Sequence, residues 1–97
     1  MYNLMFIMEK YRVLNPIDYG LGKRVNIVQI SDGHLGIMKK RRSRIIMKDS
    51  QKIMDIVNTL RKKEPQSSIS LIISGPICSK TIKFLKSNLI DIVIDNQ

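Results

Sequence analysis

The sequence predicts a small α/β domain with a mixed central sheet, and three observations carry this prediction. The 97 residues are enough for one hydrophobic core and too few for two domains. Apolar runs typical of buried strands alternate with helical patterns along the second half of the chain. Ser31-Asp32-Gly33-His34 joins two apolar runs, and Asp-Gly in that position favours a tight hairpin because glycine accepts a positive φ. We therefore expect a three-layer domain over residues 1–97, with the element order α-β-β-β-α-β-α-β.

The first half of the chain is predicted to hold one helix and three strands. Apolar residues at three- and four-residue spacing indicate a helix over residues 2–14, which Asn15-Pro16 ends. The β-branched run 24–30 is typical of a buried strand, and residues 35–39 are expected to pair back on it. Residues 44–47 are expected to form a third short strand. Met5 and Met8 are alternative start sites, so residues 1–7 are expected to be dispensable.

The second half of the chain alternates between helix and strand. Asp49 is expected to be the N-cap of a helix over residues 50–63, because its carboxylate can accept the free amide hydrogens of the first turn. After a linker at residues 64–68, the pattern predicts a strand at 69–73, a helix at 79–88 and a last strand at 90–94. Two such helix-to-strand returns normally place neighbouring strands parallel to one another.

Composition excludes several classes of protein. A single cysteine, Cys78, leaves no intrachain disulfide, and one Cys with one His cannot supply the four ligands of a structural zinc site. No apolar run reaches the roughly 18 residues that span a membrane, and the apolar start lacks the features of a signal peptide. We therefore expect a cytoplasmic protein that does not bind membranes. Seventeen Ile, eleven Lys and no Ala favour an AT-rich genome and a hot habitat, as in an archaeal or viral thermophile.

Positive charge is the most informative property of the composition. The net charge of +9 favours a partner that carries phosphates, and two Glu are too few to balance the lysines of an ordinary thermophile surface. Six cations fall within ten residues, at Lys39, Lys40, Arg41, Arg42, Arg44 and Lys48. Their mutual repulsion is offset if they contact nucleic acid. The absence of aromatic residues from this stretch favours the backbone of a duplex over stacking on single-stranded bases. The alternative is a solvated loop.

Residues 74–81, Ser-Gly-Pro-Ile-Cys-Ser-Lys-Thr, invite comparison with a phosphate-binding loop. Gly75 lies one residue too close to Ser79-Lys80-Thr81, and a serine replaces the second glycine of that motif. A weaker function remains, in which Lys80 and the free amides of a strand-to-helix turn hold one phosphate of a polymer. Cys78 is interpreted as a small buried hydrophobic residue, and His34 as an exposed turn residue.

The order of elements resembles the restriction-endonuclease-like fold, as in archaeal Holliday-junction resolvases and Mrr-type endonucleases. The closing stretch carries most of the resemblance: Ser-Ile-Ser-Leu-Ile-Ile-Ser-Gly at residues 68–75, a short helix, then Ile-Asp-Ile-Val-Ile-Asp at residues 90–95. The resemblance implies an active site with an acid near the second strand, Glu-x-Lys on the next strand, and a helical Glu in resolvases.

Under this resemblance, Glu9 corresponds to the helical Glu and Lys39 to the lysine. Asn26 stands in place of the metal-binding Asp and Ile37 in place of the Glu, so both central ligands are missing, and Asp18 or Asp32 would have to substitute. We therefore expect a non-catalytic domain without a cofactor that binds nucleic acid, preferably duplex DNA, through Lys39, Lys40, Arg41, Arg42, Arg44, Lys48 and Lys80.

Two alternatives stay open. One is a Mg²⁺-dependent endonuclease or junction resolvase that uses Glu9, an Asp and Lys39. The other is an interaction subunit whose basic stretch binds an acidic protein. By analogy with nuclease domains of this size, we also expect a homodimer.

Overall fold

The computed structural model describes residues 11–95, which form a five-stranded mixed sheet with two helices. The elements are β1 (Arg12–Leu14), a 3-10 helix (Pro16–Tyr19), β2 (Ile27–Ser31), β3 (His34–Lys39), α1 (Met47–Lys63), β4 (Ser68–Ile73), α2 (Ser79–Ser87) and β5 (Ile90–Ile94). The strands lie side by side in chain order. The pairs β1–β2 and β2–β3 are antiparallel, and the pairs β3–β4 and β4–β5 are parallel. The predicted α/β class and mixed sheet are confirmed.

The predicted hairpin is present, with Gly33 at a φ of 73° in its turn. Ile27 lies opposite Ile37 in the register of the two arms, and the ladder is irregular between Gln29 and Ser31. The first arm begins later than the predicted run 24–30, because the amide of Val25 donates to the carbonyl of Gly22 in a turn.

Both helices cover the same face of the sheet. The strands β3, β4 and β5 advance in one direction, and right-handed crossovers then place each connecting helix on the same side. The core between helices and sheet is aliphatic. Its fully buried members include Ile53, Val57 and Leu60 of α1, Leu85 of α2, and Ile37, Leu71, Ile73 and Ile90 of the strands. The buried residues of α1 recur at three- and four-residue spacing, so the helix buries one face. Within residues 11–95, neither helix is long and apolar enough to cross a membrane.

The opposite face of the sheet is also buried at its centre. Val28 and Ile72 are almost fully buried there, and their side chains lie so close to Gly36 that a Cβ at that position would collide with them. His34 is half-buried, and its Nε2 lies 2.7 Å from Oγ of the buried Ser70. The prediction that His34 is an exposed turn residue was therefore wrong.

The helix predicted over residues 2–14 is wrong in its last turn. Arg12–Leu14 form a strand that pairs with β2, Leu14 opposite Ile27. Val13 is 82% exposed while Leu14 packs against the core, which is the alternation of a strand rather than a helical stripe. Pairing with β2 outweighs the local helical pattern. Residues 2–10 lie outside the described part of the chain.

The region before α1 also departs from prediction. Ile45 forms one isolated parallel bridge, to Ile77, instead of a strand over residues 44–47, and the helix begins at Met47. Asp49 is therefore the third helical residue and not the N-cap, which is Ile46. Its Oδ2 accepts from the amide of Ile46 at 2.9 Å and from Nη2 of Arg41 at 2.6 Å. The Ile46 amide is the main reason that the pKa of Asp49 is lowered, and Arg41 adds to it.

We predict that Asp49→Ala lowers the free energy of unfolding at pH 7 by about 1–2 kcal/mol, because a helix-terminal amide and Arg41 both lose their acceptor. Asp49→Asn should cost less, because an oxygen remains. The pKa of Asp49 is lower in the folded protein than in the unfolded chain, where it is about 3.9. Its stabilising effect is therefore complete above that value and is lost as the pH falls through the folded pKa.

Urea denaturation of the wild-type protein and of Asp49→Asn between pH 7 and pH 2 measures how the stabilisation by the Asp49 carboxylate depends on pH. The stability difference should shrink below about pH 4. Asp32→Asn, an exposed hairpin position, is the matched control. A difference that persists unchanged to pH 2 would contradict the role given to the ionised carboxylate.

Candidate nucleic-acid interface

The parallel strands β3, β4 and β5 end at one edge of the sheet, which we call the carboxyl edge. Their last residues are Lys39, Ile73 and Ile94, and both α1 and α2 begin close to this edge. Ligands of open α/β sheets bind outside the carboxyl ends of the strands, where connections leave the sheet and helices begin. The connection from β3 to α1 is also the most basic stretch of the sequence, so charge and topology coincide here. Residues 39–48 are called the basic segment below.

The basic segment is fixed to the neighbouring connection. The amide of Ile45 donates to the carbonyl of Pro76 at 3.0 Å, and the amide of Cys78 donates to the carbonyl of Ile45 at 2.8 Å. The Ile45 side chain is buried in the core. A Cβ on Gly75 would collide with the carbonyl oxygen of Arg41, so the two backbones approach as closely as glycine permits. The basic segment therefore has a defined course.

The cations of the predicted interface divide into two groups. Arg41 is structural: its Nη2 donates to Asp49 and to the carbonyl of Arg44, and its Nε is buried with no partner found. Lys40 is exposed, and its Nζ lies 3.9 Å from Oδ2 of Asp95. Among residues 11–95 no carboxylate forms an ion pair with the remaining five. Lys39 is half-buried, and the other four are exposed, namely Arg42, Arg44, Lys48 and Lys80.

A cleft of about 440 Å³ opens between the end of β3 and α1. The resemblance placed Asn26, Ile37 and Lys39 in one site, and the structure brings all three to this cleft. The carbonyl of Asn26 accepts from the amide of Met38 at 2.9 Å. This hydrogen bond holds the residue that precedes β2 against β3.

Two residues of α1, Lys52 and Asp55, also line the cleft, and sequence reasoning missed them. Asp55 is exposed. Both lie within two turns of Asp49 on the same helix, so their position follows from where the helix begins. Arg24 is the remaining charged residue that reaches the cleft from outside the basic segment.

The carboxylates proposed as substitutes lie elsewhere. Asp18 is in the 3-10 helix. A Cβ built on the next residue after that helix, Gly20, would lie 3.6 Å from the side chain of Thr59, in the second half of α1. Asp32 is in the hairpin turn, at the opposite end of β3 from Lys39. A strand of six residues separates the two ends by on the order of 17 Å. Glu9 lies outside the described residues.

The residues of the cleft do not suit a divalent metal ion. Among the described residues that line the cleft, Asp55 is the one carboxylate, Asn26 is neutral and Ile37 is apolar, while several cations share the walls. Across residues 11–95, no three His, Cys, Asp or Glu side chains form a group that could hold a metal. Hard divalent ions require several oxygen ligands, usually with carboxylates among them, so this donor set does not fit one.

The start of α2 differs from the expected phosphate-binding turn. Cys78 is its N-cap and is only partly buried, so its interpretation as a buried hydrophobic residue was wrong. The backbone amides of Lys80 and Thr81 lower the pKa of the Cys78 thiol, so these amides face the sulfur. Lys80 itself is exposed beside the carboxyl edge.

Comparison with known proteins identifies the fold. No family model matches the chain, and no curated protein does. A repair endonuclease from Pyrococcus abyssi superimposes with a TM-score of 0.66 at 16% identity, over 98% of this chain and 45% of that one. EndoMS in its apo form superimposes with a TM-score of 0.62 at 15% identity, over 100% of this chain and 44% of that one. The chain thus spans less than half the length of either protein. Residues 11–95 have the restriction-endonuclease-like fold.

Proposed function

We propose that this domain binds duplex DNA through the phosphate backbone at the carboxyl edge of its sheet, without hydrolysing it. The observation that carries the proposal is the convergence of unpaired cations on one edge. Lys39, Arg42, Arg44, Lys48 and Lys80 lie there with no carboxylate partner among the described residues. Likeness to two solved structures, a repair endonuclease and EndoMS, supports nucleic acid as the partner.

The physical case rests on repulsion and fixed geometry. Like charges held on one short backbone segment repel one another, and neutralisation by phosphates relieves that repulsion while releasing the counterions condensed on the DNA. The bridge between Ile45 and Ile77 holds the segment in place before the partner arrives. Binding then costs less ordering entropy than it would for a free loop.

Phosphate contacts of this kind position a protein on DNA but read no bases. The basic segment contains no aromatic side chain that could stack on an unpaired base. We therefore propose weak sequence preference and a strong dependence on salt. The homodimer stays a prediction, which light scattering of the purified protein tests.

A metal-dependent endonuclease is the second candidate, favoured by the position of Lys39 in the cleft and by the neighbours' description as endonucleases. The donor set of the cleft counts against it. The third candidate is a domain whose carboxyl edge binds an acidic protein. Competition between duplex DNA and an acidic polypeptide such as polyglutamate distinguishes this candidate from DNA binding.

We predict that replacing Arg42, Arg44 and Lys48 by Ser weakens duplex binding and reduces the slope of log affinity against log salt by up to about three, at roughly 0.9 per lost phosphate contact. Arg41 is left intact because it holds the start of α1 through Asp49. Fluorescence anisotropy with a labelled duplex, from 50 to 300 mM salt, measures both quantities.

The matched control replaces Lys62, Lys63 and Lys86 by Ser, which removes the same charge from the last turns of the two helices. These residues lie at the other ends of α1 and α2, so the control should keep most of the affinity and nearly the whole slope. Equal losses in the two triple variants would mean that net charge, and not the carboxyl edge, governs binding.

We also predict no cleavage of duplex, branched or single-stranded DNA above background with Mg²⁺ or Mn²⁺. Metal-dependent hydrolysis needs carboxylates to hold the ion that activates water and neutralises the transition state. Loss of that stabilisation is large, since each 1.36 kcal/mol is about tenfold in rate. Gel assays with purified protein test this. Cutting that disappears in Lys39→Ala or Asp55→Asn would favour the endonuclease.

A further inference from the structure

The cleft between β3 and α1 combines a cationic wall with an apolar base. Within residues 11–95 the cleft is lined by five cations and one carboxylate, Asp55; the cations are Arg24, Lys39, Lys40, Arg41 and Lys52. Val25 and Ile56, which are both half-buried, supply apolar surface beside them. Charges at a partly enclosed apolar surface interact more strongly with an anion than charges in bulk water, because the effective dielectric constant is lower.

Lys39 and Lys52 occupy a special place in this wall. Both also line a smaller neighbouring cavity of about 70 Å³, together with Arg41 and Asp49. The two lysines therefore border both cavities, one from the end of β3 and one from the second turn of α1. Cations that share one cleft repel one another, and an anion bound in the cleft relieves that repulsion.

The nearby carboxylates leave these lysines unneutralised. Asp49 is engaged by the amide of Ile46 and by Arg41. Asp55 is three residues from Lys52 on the same helix, a spacing at which ion pairs form readily, yet the structure shows none between them. Asp95 reaches towards Lys40.

From this arrangement we infer that the cleft is a metal-independent site for one phosphodiester group, held directly by Lys39 and Lys52. The inference rests on the proposed function and adds the place where the nucleic acid enters the domain. The volume of about 440 Å³ falls in the range of ligand clefts, about 300–1,000 Å³, so the sugars on either side of the phosphate can enter with it. In this site the positive charge that neutralises the phosphate comes from lysine side chains. A divalent ion is not needed, and the described residues of the cleft include too few carboxylates to hold one.

Inorganic phosphate is the simplest probe of the site. In EDTA and at constant ionic strength, with sodium chloride as the reference, phosphate should raise the Tm of the wild-type protein, because a ligand that binds the folded state stabilises it. The double variant Lys39→Met, Lys52→Met keeps the aliphatic length of both side chains and should lose that response. Phosphate also stabilises proteins generally by exclusion from their surface, so the difference between the two proteins is the measurement.

Duplex binding supplies the second readout. Lys52→Met should reduce affinity about tenfold or more, as expected for the loss of a charged hydrogen bond. Lys52→Arg should restore most of it. Lys62→Met, an exposed position at the other end of α1, should change affinity less than about twofold. Neither EDTA nor added Mg²⁺ at constant ionic strength should alter the loss of duplex affinity caused by Lys52→Met.

The outcomes separate this inference from the proposed function. Equal phosphate responses in the wild-type protein and the double variant would overturn the cleft assignment, and so would an effect of Lys52→Met no larger than that of Lys62→Met. A contribution of Lys52 that appears with Mg²⁺ alone would overturn its metal independence. A lysine-dependent phosphate response in a protein that fails to bind duplex DNA would support the cleft and contradict the proposed function.

Discussion

The connection from β3 to α1 is held at the carboxyl edge by its contact with the connection from β4 to α2. One parallel bridge joins Ile45 to Ile77, and Gly75 lets the backbone of Arg41 approach. Because this contact fixes where α1 begins, it also fixes which α1 side chains reach the cleft. Arg41 is thereby placed beside Asp49, so the first turn of α1 depends on a residue of the connection.

The same constraint explains why the charges of this edge cannot avoid one another. A free loop would separate like charges by moving, whereas a backbone bridged at Ile45 keeps Arg42, Arg44 and Lys48 near Lys39. Two of the cations are partly balanced, Arg41 by Asp49 and Lys40 by Asp95. The rest create a positive potential next to a cleft whose described lining residues include a single carboxylate, Asp55. In this chain the restriction-endonuclease-like fold therefore presents an edge at which the described cations outnumber the described carboxylates.

Sequence patterns predicted those parts of the fold that local rules determine. The Asp32-Gly33 turn, the strand around Leu71 and the final strand at Ile90–Ile94 are all present, because turn chemistry and apolar runs act over a few residues. The prediction failed at residues 12–14 because pairing with β2 decides their structure. It failed at Asp49 because the helix begins earlier, so that this carboxylate accepts from the amide of Ile46 inside the first turn. Of the candidate site, the basic segment was visible in the sequence. The structural role of Arg41 depends on where α1 begins, and so does the position of Lys52 and Asp55 in the cleft. The sequence pattern predicted that start at residue 50, whereas the helix begins at Met47.

Amide chemical-shift mapping of the ¹⁵N-labelled protein during titration with a duplex, in EDTA, tests most directly whether the carboxyl edge is the binding surface. We predict that the largest shifts fall at residues 39–48, around Lys52 and around Lys80, with little change at the hairpin turn 31–34 and in β1. Largest shifts at the hairpin turn or along β1, with residues 39–48 unmoved, would contradict it.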